Sequence, residues 1–195
     1  MGDVGSSSGA PPARRNLRFE AAQDLFDGLP ELAEDVTARP DGEDAVSFAT
    51  ALAEGPTPEE AITVCAYNLP RRYAVWWGHE CLRRAEQVLG EDDTELMKLA
   101  ADWVANQNEQ TRYAALNAAM AQKDVSPGGW IAFGAGWAGG SMSGPDLPPV
   151  PPAPHLTAKA VNAGILTVLA RIDIENRRKT LGSFVRMAIQ LAEDA

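Results

Sequence analysis

Apolar residues recur along the chain at three- and four-residue spacing, and nowhere do β-branched and polar positions alternate between hairpin turns. The pattern predicts an all-α protein, a single-domain bundle of about seven or eight helices. Two short pieces, Glu20–Phe26 and Pro30–Val36, come first. Asp44 then reads as the cap of a helix carrying Val46, Phe48, Ala49 and Leu52, stopped by Gly55-Pro56. Thr57 caps Pro58-Glu59-Glu60, where proline suits a first turn and the acids suit the positive end of the helix dipole, and that helix runs to about Asn68. Pro70 opens the next, predicted to reach Leu89 and stop at Gly90. Asp92 and Glu95 read as a capping box ahead of Leu96, Leu99, Ala100 and Trp103.

An alanine-rich helix follows over Glu109–Gln122, with Tyr113, Leu116, Ala119 and Met120 as its apolar stripe. Ser126-Pro127 opens a short helix bearing Trp130, Phe133 and Trp137. Thr157 starts another, with Val161, Ile165, Val168 and Ile172 in phase. The phase then slips, so a kink or break is expected near Asp173–Thr180, before a last helix carrying Leu181, Phe184, Val185, Ala188 and Leu191.

Residues 1–15 are rich in Gly, Ser, Pro and Ala and read as a flexible leader to a domain spanning 16–195. The stretch GPDLPPVPPAP, residues 144–154, cannot be regular secondary structure and is expected to be an extended polyproline strap. The favoured reading lays it on the protein's own aromatics, with Trp130, Trp137, Trp76 and Trp77 as hosts, rather than in a partner's groove. His155 then closes the strap as a hydrogen-bonding group at the helix entrance.

Charge changes the picture of partners. The chain of 195 residues carries 17 basic and 27 acidic residues, a formal net charge of −10. Such a chain has little electrostatic reason to bind nucleic acid or an anionic membrane, so neither is expected as a partner. No run approaches the roughly 18 to 20 apolar residues of a spanning helix, and no basic cluster followed by an apolar stretch marks a secretory signal. Two cysteines, Cys65 and Cys81, make no disulfide framework and are expected to be free and buried, in a soluble cytoplasmic protein.

Three candidate chemistries can be weighed on spacing. Gly134, Gly136 and Gly139 match G-x-G-x-x-G, but they follow a helix start rather than a strand, so close helix packing is the better account. Cys65, Cys81, His79 and His155 show no metal-ligand spacing. His79 and Cys81 are two residues apart and face about 160° apart on a helix, which argues against a nucleophile pair. No catalytic residue, cofactor or metal is therefore expected.

What remains is LPRRYAVWWGHECL, residues 69–82. On a wheel of about 100° per residue, Trp77 joins Ala74, Gly78, Cys81, Leu82, Ala85, Val88 and Leu89 on a core face. Trp76 falls nearly opposite, with Arg72, His79, Glu80 and Arg83, where a guanidinium can stack on the indole. Arg72, Trp76, Glu80 and Arg83 are accordingly the candidate partner-binding residues, an exposed Trp with Arg being a hot-spot composition. Cover by another layer of this protein is the competing reading. Trp130, Trp137 and His155 are the candidate lining of an alternative tryptophan pocket, as in a small enzyme or ligand-binding helical domain.

Several strings, GPTPEEAITVCAYNLPRRYAVWWGHECL, ADWV, GGWIAFGAGWAGGSM and LPPVPPAPHLTAKAV, occur in this order. Together they resemble an uncharacterised bacterial domain family of unknown function, over about residues 20 to 190. The resemblance implies a product of a type VI secretion locus, encoded near spike and adaptor genes. On that basis the expected function is a non-enzymatic accessory or adaptor protein whose protein partner is an effector, spike or sheath component.

Overall fold

The structure, a computed structural model, describes residues 16–144 and 146–193. The leader expected over 1–15 lies outside the described residues. Among the described residues there are ten α-helices and no strand, only an isolated bridge between Ala21 and Asp44. They are α1 (Ala22–Gly28), α2 (Leu32–Asp35), α3 (Ala45–Glu54), α4 (Glu59–Asn68), α5 (Arg71–Arg83), α6 (Glu91–Ala105), α7 (Glu109–Met120), α8 (Pro127–Gly136), α9 (Leu156–Arg171) and α10 (Ile174–Glu193). The all-α class is as expected. The count is higher because both short N-terminal pieces form helices of their own.

Helix α8 sits at the centre, packed against α5, α6, α7 and α9, while α10 lies across α3, α4 and α5. Close packing there depends on small residues. A Cβ at Gly164 of α9 would stand 3.0 Å from the Pro127 carbonyl oxygen, and one at Gly134 of α8 3.0 Å from Val161. Two glycines of the G-x-G-x-x-G match, Gly134 and Gly136, lie inside α8 and allow close contact with α9 and α7, while Gly139 meets open space; no strand precedes them among the described residues.

The helix starts follow local chemistry. The Asp44 side chain accepts from the Val46 and Ser47 amides, Asn108 from Thr111 and Ser126 from Gly129. Several features differ from expectation, each for a visible reason. The Thr57 side chain does not cap α4, whose N-cap is Pro58, and Thr57 instead accepts from the Glu60 amide through its carbonyl. Helix α5 ends at Arg83, and a 3-10 turn over Glu86–Val88 buries Ala85 but leaves Val88 and Leu89 half-buried. At α6 the capping acid is Asp93, not Asp92 with Glu95: its Oδ2 accepts from the Gly90 amide at 2.7 Å, while Asp92 and Glu95 face solvent. On α7 Met120 is 63% exposed, and Arg112 is buried in the stripe instead. Its guanidinium is satisfied inside by the Gly136 carbonyl at 2.8 Å and by the Glu109 carboxylate. Finally, the break expected near Asp173–Thr180 falls at the first residue of that stretch, and Ile174–Thr180 is continuous helix. The chain turns at Ile172, buried in extended backbone, and the Asp173 carbonyl accepts from Asn176 and Arg177 to start α10 at Ile174. The slip in apolar phase marks that corner.

The strap leaves α8 through Ser141 and Ser143. Ser141 Oγ accepts from the Val150 amide at 2.9 Å, Ser143 Oγ donates to the Pro148 carbonyl at 2.6 Å, and the Met142 amide bonds Val150 oxygen at 2.8 Å. Tyr113 of α7 donates to Ser143 oxygen and ties this turn to the bundle. Among the described strap prolines, Pro152 is buried, whereas Pro148, Pro149, Pro151 and Pro154 are exposed. Pro152→Ser should therefore lower stability by about 1 to 2 kcal/mol, through lost apolar burial and a freer unfolded chain. Pro149→Ser should shift the urea midpoint much less. Equal shifts would show that stiffness, not the Pro152 contact, is what the strap contributes.

Candidate protein-docking site

Adjacent residues on α5 meet opposite surroundings. Trp77 is fully buried, and its indole N–H donates to the Phe184 carbonyl of α10 at 2.9 Å. Trp76 is half-buried and faces outward. Its ring stacks on His79, centroids 5.2 Å apart and planes 9° from parallel, as the i, i+3 spacing allows. The expected guanidinium partner is thus replaced by an imidazole. Both arginines are engaged elsewhere. Arg72 Nε donates to the Val104 carbonyl at 2.9 Å, placing a cation at the negative end of α6. Arg83 forks onto Glu80, with Nη2 2.6 Å from Oε2 and Nε 3.1 Å from Oε1.

Glu80 joins the two halves of this face, because His79 Nδ1 lies 3.2 Å from its Oε1. The hydrogen bonds from Arg83 hold the Glu80 carboxyl below its ordinary range, against partial burial that pushes it up, with His79 adding to the lowering. The carboxylate stays charged at neutral pH, so the Trp76–His79–Glu80–Arg83 row is a fixed aromatic and ionic surface.

Beside it lies a groove of about 310 Å³ between α5 and α6, lined by Arg72, Tyr73, Trp76, Ala101, Val104 and Ala105. The lining is aromatic and aliphatic apart from Arg72, and the Glu80–Arg83 ion pair stands on the adjoining face, a composition suited to a protein-binding patch. The α6 wall escaped the reading of the sequence. Its signal was there: Ala101, Val104 and Ala105 stand at i, i+3 and i+4, beside the Leu96–Ala100–Trp103 core stripe.

The other candidates, Trp130, Trp137 and His155, are not among the residues that line this groove. Trp130 and Trp137 are linked through Phe133, at centroid distances of 5.9 and 4.7 Å. His155 is engaged with α2 instead, Nδ1 lying 3.1 Å from Glu31 Oε1 but outside hydrogen-bond geometry. His155 Nδ1 thus makes no hydrogen bond at the helix entrance, and backbone bonds from the Leu156 amide to the Ala153 carbonyl and from the Lys159 amide to the His155 carbonyl hold the strap's end. Cys65 and Cys81 are free and buried; burial pushes the Cys65 thiol up to about 12 and Cys81 well above its usual value. Neither supplies a thiolate nucleophile near neutral pH. Among the described residues, no group of three or more His, Cys, Asp or Glu could hold a metal ion, and no helix is long and apolar enough to cross a membrane.

The profile of a family of unknown function matches residues 48–192, about three quarters of the chain. The chain belongs to DUF6931. The DUF6931 match runs from inside α3 to the end of α10 and contains the whole Trp76 groove, while α1 and α2 lie before it. It begins at Phe48, later than the resemblance read from the sequence strings. No curated protein and no solved structure matches the chain.

Proposed function

We propose that this protein is a non-enzymatic adaptor or accessory component of a bacterial type VI secretion system. It works in the cytoplasm and binds an effector, spike or sheath component through the Arg72–Trp76–Glu80–Arg83 face. The resemblance of the LPRR, AVWW and LPPVPPAPHL strings to proteins of such loci supports the system. The observation that carries the binding mode is the half-buried Trp76, stacked on His79 at the edge of an aliphatic groove that Arg72 also lines. A rigid aromatic of this kind loses little conformational entropy on docking and gains most of its remaining burial.

A photoreactive residue placed at Ala105, on the groove wall, should give one discrete adduct when the protein is expressed in its own host. The same residue at Thr50, exposed on α3, should give none. Adducts at both positions alike, or at Thr50 alone, would overturn this reading.

A further inference from the structure

The Trp76 groove leaves unused a second cavity, about 430 Å³, at the corner where α9 turns into α10. Three cations reach it from three elements: Arg84 from the end of α5, Arg171 from the end of α9 and Lys179 from α10. Against them stands a single acid, Asp173, although the chain as a whole carries −10. Arg171 is positioned by a 3.1 Å hydrogen bond from Nη1 to the Val88 carbonyl, which leaves the rest of its guanidinium for a ligand. The side chains of Arg84 and Lys179 make no hydrogen bond or ion pair with the described residues. In a chain of excess acid, three like charges share one cavity with a single carboxylate, and an anion bound there would offset the excess positive charge.

We infer that this cavity is a binding site for a small phosphate-bearing molecule. A phosphate head offers several oxygens to two guanidinium forks and an ammonium. The volume lies within the range of small-ligand pockets, and its inner wall is apolar, where Phe184 stands almost fully buried. A row of cations along an open groove would suit an acidic peptide. Here all three line one cavity of small-ligand size, which suits a compact head group. The site is separate from the Trp76 face and does not depend on the adaptor reading.

The test is titration of the isotope-labelled protein with glycerol 3-phosphate, inorganic phosphate and an Asp/Glu-rich peptide, followed by amide chemical shifts at constant ionic strength. Both phosphates should give saturable shifts confined to residues 84–88 and 171–184, with the ester binding at least as tightly. Arg84→Gln and Lys179→Gln should each weaken binding by at least about tenfold, the cost of losing one charged hydrogen bond. Lys98→Gln, a change of the same charge on α6, should leave it unchanged. Linear, non-saturating shifts, equal affinity in all three variants, or tighter binding of the acidic peptide than of the ester would overturn the assignment.

Discussion

Trp77→Ala should destabilise the protein by about 3 to 5 kcal/mol, the cost of emptying a large aromatic site in a packed core. The indole is fully buried, and its N–H satisfies the Phe184 carbonyl of α10. The substitution therefore removes both the volume and a buried hydrogen-bond donor. Trp77→Phe should recover much of the packing but not that bond, leaving a loss of about 1 to 2 kcal/mol. Urea midpoints of the two variants measure the difference. A Trp77→Ala protein that melts with the wild type would show that the packing described at α5 is wrong.

The second large effect is expected at Asp93. Its carboxylate is 1% exposed and accepts at both ends: Oδ2 from the Gly90 amide and Oδ1 from the Gly128 amide, each at 2.7 Å. One side chain thus closes the first turn of α6 and pins the first turn of α8, the central helix. Asp93→Ala leaves the buried Gly128 N–H without a partner and should cost about 2 to 4 kcal/mol. Asp93→Asn keeps one acceptor oxygen and should retain about half of that. Gly128→Ala attacks the same junction from the other side, since its Cβ would stand 2.7 Å from the Asp93 carbonyl oxygen. Chemical denaturation of the three variants checks the ranking. A loss below about 1 kcal/mol for Asp93→Ala would place it among ordinary surface changes and contradict the bridging role.

These two residues also mark how far the sequence could be read. Trp77 and Trp76 are separable by helical geometry alone, because neighbours on a helix point about 100° apart and only one sector of α5 is continuously apolar. Asp44 and Ser126 were legible as caps for a similar reason: a cap acts on the next three residues. Asp93 was not, because its second partner, Gly128, lies 35 residues away and only tertiary packing brings it near. The same holds for Arg112, whose burial depends on the Gly136 carbonyl at the end of another helix. Of the docking face, the α5 half could be read from spacing. The α6 wall depended on knowing that α5 packs on α6, and the Arg72–Val104 bond depended on where α6 ends. The basic corner was hidden by the phase slip near Asp173, which reads as a kink until the turn at Ile172 is seen.

The adaptor reading rests on Trp76 being a binding residue rather than a covered core residue. The most direct measurement pairs quantitative affinity capture from the native host with thermal melts for wild type, Trp76→Ala and Trp77→Ala. Trp76→Ala should melt close to wild type yet retain at most about one thirtieth of the partner, the loss expected for a hot-spot residue of about 2 kcal/mol. A Trp76→Ala protein that stays folded and captures the partner as well as wild type does would contradict the account.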